Sequence, residues 1–213
     1  IWEEGPLEEL SKLNVDYVVC VNASPYEFNK TKNKFNFIQN RLNKLNDFFL
    51  IYLNCVGGQD ELLFDGNSFI TKPKKYDSNN LPFFSGQFIS QNIIADFSKT
   101  NHIKITRKYE KFPFHRKIFE DPITQINTMN EEKFLIYNLL NGLILAMKDY
   151  LEKNSIKKLF LGLSGGIDSG VVLFIASKVI SKEKITAIMM PSEFTSDVSF
   201  KDAKKLASNL GVN

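Results

Sequence analysis

Cysteine is scarce, two in 213 residues, and Cys20 and Cys55 each sit within a run of β-branched, aromatic and aliphatic neighbours. That pattern excludes a disulfide framework or a cysteine-based zinc site and predicts two reduced thiols in the core. Histidine is equally rare. His102 and His115 share no metal-like spacing with each other or with cysteine, and both lie among lysines, so they read as ordinary loop or edge residues. Long apolar runs are missing too: the longest, residues 48–56 and 185–190, fall far short of the roughly 18 residues a membrane-spanning helix needs. No basic region leads into an apolar one at the start, so a secretory signal is not indicated, no membrane partner is expected, and the cytoplasm is the expected location. Neither sign of charge dominates, with 27 Lys and Arg against 24 Asp and Glu, and a net charge of +3 spread this widely argues against a nucleic-acid partner.

What is present is a 43% hydrophobic content, that of a globular chain with a real core. Residues 7–13 predict a short amphipathic helix, 17–21 a buried strand broken by Asn22-Ala23-Ser24-Pro25, and 30–46 a helix carrying Phe35, Ile38, Leu42 and Leu45 at helical spacing. Residues 49–56 predict a second strand, stopped by Gly57-Gly58, and 61–70 resume as extended chain around Asp65-Gly66. Between about 71 and 130 the pattern loosens, with strands expected only over 83–97, and residues 108–129, which include Pro113 and Pro122, read as a linker. Asn130 is the expected cap of a long helix. Strand 159–163, helix 169–180, strand 185–190 and helix 201–210 then alternate, which predicts a parallel sheet with crossover helices. The chain opens on Ile-Trp-Glu-Glu rather than Met and ends just after a helical pattern, and both ends are expected to continue.

The chemistry lies in Ser164-Gly165-Gly166-Ile167-Asp168-Ser169, between a predicted strand and the helix that follows it. Paired glycines and two hydroxyls at a helix N-terminus make an anion site, because unpaired N–H groups point outward and glycine lets a phosphate approach the main chain. The string is neither a Walker A loop nor a dinucleotide G-x-G-x-x-G. Asp168 would repel a phosphate on its own, so a magnesium ion between the two resolves the conflict. The plainer alternative is a glycine-rich strand-to-helix turn with an aspartate at its start.

The six-residue string resembles the SGG-x-D-S signature of the ATP pyrophosphatase (PP-loop) superfamily. That resemblance implies cleavage of ATP between its α- and β-phosphates and adenylation of an acceptor oxygen. Asparagine and GMP synthetases and several tRNA-modifying enzymes carry similar loops, so the flanks must select among them. Asp149 to Asn154, Leu161-Gly162-Leu163, Met190 to Ser196 and the helix around Asp202-Ala203 and Leu206-Ala207 resemble the NAD synthetase family. The resemblance implies that Gly162, Leu163 and Ser164 to Ser169 hold the pyrophosphate part of ATP, that Asp168 contacts Mg2+, and that Met190 lies near the adenine. Gly170 departs from the family, where alanine is more usual.

The front of the chain is similar to the later half of the nitrilase-type glutaminase domain that the long, glutamine-dependent members of this family carry. The similarity rests on Asn22-Ala23-Ser24-Pro25-Tyr26, Lys30 and the run from Val56 through Gly57-Gly58-Gln59-Asp60-Glu61 to Gly66. It implies glutamine-pocket roles for Ser24, Lys30, Gln59, Asp60 and Glu61; the alternative for the last three is a hairpin turn with solvated charges. Lys34 stands where bacterial forms often have arginine, which changes how the glutamine carboxylate is held. In this family the nucleophilic cysteine sits just ahead of an Asp-Ile-Trp stretch that Ile1-Trp2 resembles, so it is expected upstream of Ile1, with no glutaminase catalytic residue inside the chain.

The resemblance therefore implies residues 1–107 as the later part of a nitrilase-like α-β-β-α sandwich, 108–129 as linker, and 130–213 as the first part of a PP-loop, doubly wound parallel α/β sheet. The implied activity is amidation of deamido-NAD to NAD with ATP and with ammonia taken from glutamine, by a homo-oligomer. The rivals are another PP-loop enzyme, against which the Val56 to Glu61 segment argues, and a non-catalytic scaffold that keeps an ATP-like loop.

Overall fold

The computed structural model describes residues 5–13, 15–28, 30–45, 48–72, 83–84, 92–96, 104–108, 131–191, 193 and 196–212. The chain divides into two units, Ile1–Gly57 with Leu62–Arg116, and Gly58–Glu61 with Lys117–Asn213. The expected cap Asn130, most of the 108–129 linker, both histidines, and Ser192, Phe194 and Thr195 lie outside the described residues.

In the first unit, α1 (Pro6–Lys12) leads into β1 (Tyr17–Asn22), α2 (Lys30–Leu42) and β2 (Phe49–Asn54). β1 and β2 are parallel, with Tyr17 opposite Phe49 and Asn22 opposite Asn54. A parallel pair needs a crossover, and α2 supplies it. Its residues Ile38 and Leu42, one helical turn apart, are both buried on the sheet. β2 then pairs antiparallel with β5 (Phe69–Thr71), and β5 with β6 (Phe83–Phe84), giving the order β1-β2-β5-β6. Alternation along the strands sends Val18, Leu50 and Tyr52 into the core beside Phe69. Tyr52 stacks on Phe69 with ring centroids 4.8 Å apart, and Phe35 meets the same Phe69 edge-on at 5.2 Å. The opposite face carries Val19 and Val21, both exposed. A separate antiparallel pair joins β7 (Asn92–Asp96) to β8 (Lys104–Lys108).

Between β2 and β5 runs a hairpin of β3 (Val56–Gln59) and β4 (Leu62–Asp65). Gly57 and Gly58, expected to end a strand, lie inside β3 instead. The turn falls at Asp60-Glu61, where Asp60 takes a φ of 51°, a conformation that aspartate tolerates.

The second unit holds α3 (Glu131–Lys153), β9 (Leu159–Gly162), α4 (Ile167–Val179), β10 (Ile185–Ile188) and α5 (Asp197–Leu210). β9 and β10 are parallel, with Leu159 opposite Ile185. α4 is apolar nearly all round and is packed on two sides: Leu173 and Ala176 share a core with Ile185 and Ala203, while Ile175 and Val179 share another with Ile144 and Leu151. Glycine at 170 leaves room for Leu206, whose Cδ2 would stand 3.1 Å from an alanine Cβ there. Both α4 and α5 begin earlier than their hydrophobic periodicity suggested, because Asp168, Asp197 and the serines beside them are first-turn residues rather than loop. Among the described residues no helix is long and apolar enough to cross a membrane.

The first helix is anchored by charge. Glu8 accepts hydrogen bonds from the Gly5 amide at 3.0 Å and from Arg41 Nη2 at 2.6 Å, joining α1 to the end of α2. Partial burial works to raise the Glu8 carboxyl pKa, but the Arg41 and backbone hydrogen bonds outweigh it, and the net shift is below the ordinary 4.5. A depressed carboxyl contributes stability that is present above its unfolded pKa and is lost as pH falls through the folded one. Glu8→Gln is therefore expected to cost about 0.5–1 kcal/mol near neutral pH. The cost should shrink toward zero as the pH drops below the ordinary glutamate range, in urea titrations at pH 7 and in acid.

Candidate functional site

β9 ends at Gly162, and the chain turns through Ser164 to Gly166 before α4 begins. The turn is tied internally: the Ser164 amide donates to Ser169 Oγ at 3.3 Å, the Gly166 amide to Ser164 Oγ at 3.2 Å, and Ser169 Oγ to the Gly166 carbonyl at 3.1 Å. The two hydroxyls are themselves 3.1 Å apart. Ile167, Asp168 and Ser169 form the first helical turn, so their amides have no acceptor within the helix. Six residues thus hold two hydroxyls, a row of open amides and the positive end of a helix dipole at one exposed point. Such a point suits an anion with several oxygens.

Gly165 sets this geometry. Its φ is +84°, and a Cβ there would stand 2.2 Å from the carbonyl oxygen of Ser199 and 2.8 Å from its Cα. Only glycine fits both the backbone angle and the space. The contact sets the turn against the first turn of α5, whose N-cap Ser196 accepts from the Ser199 amide at 3.2 Å. Ser196 and Ser199 were not candidates from the sequence. The signal for them was a serine three residues ahead of another at a helix start.

Asp168 is exposed, in the first turn of α4, and among the described residues it has no hydrogen-bond or ion-pair partner. No cluster of three metal-ligating side chains exists among the described residues. One carboxylate beside two hydroxyls is not a cage. It does match magnesium, which keeps several waters and takes one or two carboxylates together with substrate phosphate oxygens. Beside the turn, Gly162, Leu163, Ser164, Met189, Met190 and Pro191 line an open cleft of about 180 Å³. Met190 is 77% exposed there, a flexible apolar side chain at the mouth. All nine residues expected at the nucleotide site therefore lie in this loop or its cleft.

The other candidates are divided. Ser24 is half-buried in the first unit, and Lys30 opens α2, its side chain outside the described residues. Gln59, Asp60 and Glu61 group with the second unit, all exposed. There the Gly58 amide donates to Asp149 Oδ2 at 2.7 Å, and Lys153 Nζ donates to the Gly58 carbonyl and, at 3.1 Å, to Gln59 Oε1. Gly58 is glycine because a Cβ would stand 2.9 Å from Ala146 Cα. Close approach therefore explains Gly58, while Gly57 takes a φ of 127°, in the region that favours glycine.

The two thiols differ. Cys20 is free and packs, half-buried, against the core of the first unit, its sulfur 3.3 Å from the donating Asn22 side-chain amide, whereas Cys55 departs from expectation and is exposed because β2 ends one residue earlier. Lys34 does not reach outward toward a ligand carboxylate; it is 3% exposed, and its ammonium lies 3.9 Å from Asp65 Oδ1. Tyr52 beside it has its phenol pushed up to about 12, chiefly by burial, with a Ser24 hydrogen bond opposing and Cys20 and Asp65 adding to the rise.

The turn predicts a sharp contrast between adjacent glycines. Gly165→Ala should destabilise by about 2–4 kcal/mol, from the positive φ and the clash with Ser199. A Cβ at Gly166 meets only Ser164 Oγ, at 3.3 Å, so Gly166→Ala should cost about 1 kcal/mol or less. Thermal melting of the two variants side by side checks this, and equal losses would contradict the assignment.

The chain is similar to proteins of known activity. Residues 139–213 match the family model described as NAD synthase. Along its whole length the chain is similar to glutamine-dependent NAD(+) synthetases, 34% identical over 212 residues to that of Acinetobacter baylyi and 34% over 226 residues to that of Aquifex aeolicus. It spans 35% and 39% of their lengths, little more than a third. The solved glutamine-dependent NAD+ synthetase of Acinetobacter baumannii, in complex with ADP, superimposes with a TM-score of 0.73 at 32% identity, over 97% of this chain and 35% of that one.

Proposed function

We propose that this chain, similar from end to end to glutamine-dependent NAD+ synthetases, supplies part of an enzyme that amidates deamido-NAD to NAD. Residues 130–213 serve as the first part of a PP-loop synthetase domain, 108–129 as a linker, and 1–107 as the later part of a nitrilase-like glutaminase domain. The observation that carries the reading is the open-amide turn Ser164 to Ser169 beside the Met190 cleft. The Acinetobacter baumannii relative is solved in complex with ADP, which supports an adenine nucleotide as a ligand of this chain. The apolar second face of the first sheet, with Val19 and Val21, supports a sandwich in which another layer covers it. A homo-oligomeric assembly and a cytoplasmic location complete the proposal.

In this reading the amides of Ile167, Asp168 and Ser169 take the pyrophosphate end of ATP. The Ser164 and Ser169 hydroxyls turn from each other toward its oxygens, and Met190 lies against the adenine. Bound magnesium would be held by Asp168 and would offset the negative charge that Asp168 and the phosphates share. The nicotinate carboxylate attacks the α-phosphorus, expelling pyrophosphate and leaving an acyl adenylate. Ammonia then attacks the acyl carbon, AMP leaves, and a proton is released as the amide of NAD forms. Adenylation is required because a free carboxylate is a poor acceptor for a nitrogen nucleophile, and the loop contributes by fixing charge where it develops. Glutamine supplies the ammonia by hydrolysis to glutamate, with Ser24, Lys30, Gln59, Asp60 and Glu61 proposed around that pocket.

Asp168→Asn keeps the shape of the helix start and removes only the charge. In the intact protein it is expected to slow ammonia-driven NAD formation by about a hundredfold, with melting temperature and glutamate release largely unchanged. The check is turnover against magnesium concentration. Wild-type turnover and magnesium dependence in the variant would return Asp168 to the role of a helix-start residue.

A further inference from the structure

At the C-terminal ends of β1 and β2 a chain of polar contacts links a buried ion pair to Ser24. Lys34 and Asp65 have side chains only 4% and 3% exposed, with Nζ 3.9 Å from Oδ1. Lys34 Nζ also lies 5.5 Å from the centroid of the Tyr52 ring. The same Asp65 oxygen accepts a hydrogen bond from Asn54 Nδ2 at 3.3 Å. Asn54 closes β2, and its side-chain amide holds Ser24 on both sides. Its Oδ1 accepts from the Ser24 amide at 2.8 Å, and its Nδ2 donates to the Ser24 carbonyl at 3.1 Å. Ser68 Oγ accepts from the Asn54 backbone amide at 3.0 Å, fixing Asn54 in turn. Just beyond Ser24, the Tyr26 amide donates to the Leu63 carbonyl at 2.6 Å.

Two features separate this arrangement from ordinary core polarity. A buried ion pair is weak evidence for stability, since apolar side chains of similar size often serve as well. Here the pair orients one amide side chain, and that side chain mimics a β-ladder partner for a single residue outside any strand. Ser24 is otherwise at the start of an irregular segment. Without the Asn54 side chain the Ser24 amide and carbonyl would lose their partners, and its hydroxyl would lose its fixed direction toward Tyr52.

We propose that Asn54, oriented by the Lys34–Asp65 pair, is a positioning residue that fixes Ser24 for glutamine and so sets glutamine affinity without touching ammonia-driven synthesis. This rests on the proposed function above. The test uses the intact protein, with glutamate release and ammonia-driven NAD formation measured in parallel for wild type, Asn54→Ala, the milder Asn54→Ser, Lys34→Met and Lys34→Arg. Expected is a KM for glutamine raised about tenfold or more in both Asn54 variants and in Lys34→Met. The kcat for glutamine hydrolysis should stay within a few-fold, ammonia-driven turnover should be unchanged, and Lys34→Arg should restore the wild-type KM. If Asn54→Ala melts near the assay temperature, Asn54→Ser carries the test. An unchanged KM in the folded Asn54 variants overturns the inference. So does a joint fall of kcat, melting temperature and ammonia-driven rate, which marks a structural role alone. A wild-type protein that releases no glutamate from glutamine contradicts instead the glutaminase reading on which the inference stands.

Discussion

The close approach of Gly165 to the Ser199 carbonyl governs the second unit. With no side chain at 165, the turn after β9 can lie against the first turn of α5 while α4 begins at once. The first-turn amides of α4 are then left open, and the two serine hydroxyls face each other across the turn. A larger residue would push the turn from α5 and misdirect the amides together. The core that Leu173 and Ile185 share holds the strands and helices that bring these parts into register.

The first unit is organised by a different constraint. Tyr52 is both a core residue, stacked on Phe69, and the floor of a polar cluster. Its ring is buried among apolar neighbours, while its hydroxyl end meets Ser24 and the field of Asp65. The ends of β1 and β2 are therefore polar where their middles are apolar. This is the edge at which open α/β sheets commonly keep their sites.

Much of this was legible in the sequence because it is local. The alternation of strand and helix, the parallel pairing of β9 and β10, and the Ser164 to Ser169 turn all follow from short-range patterns. Other features depend on residues far apart in the chain. Gly58 owes its identity to Ala146, Lys34 to Asp65, and Gly165 to Ser199. The expectation of a buried Cys55 failed on one residue of register, since β2 stops at Asn54 and the thiol turns outward. The helices α4 and α5 start earlier than apolar periodicity predicts because that periodicity reports buried faces, whereas the first turns of both helices are largely exposed.

On the proposed function, the turn after β9 binds ATP so that its α–β phosphate bond is broken to activate a carboxylate. The direct measurement is phosphorus NMR of the intact protein supplied with ATP, magnesium, deamido-NAD and ammonium. Formation of AMP and pyrophosphate in step with NAD is the predicted result. ADP and inorganic phosphate as the products, or NAD formation without consumption of ATP, would contradict it.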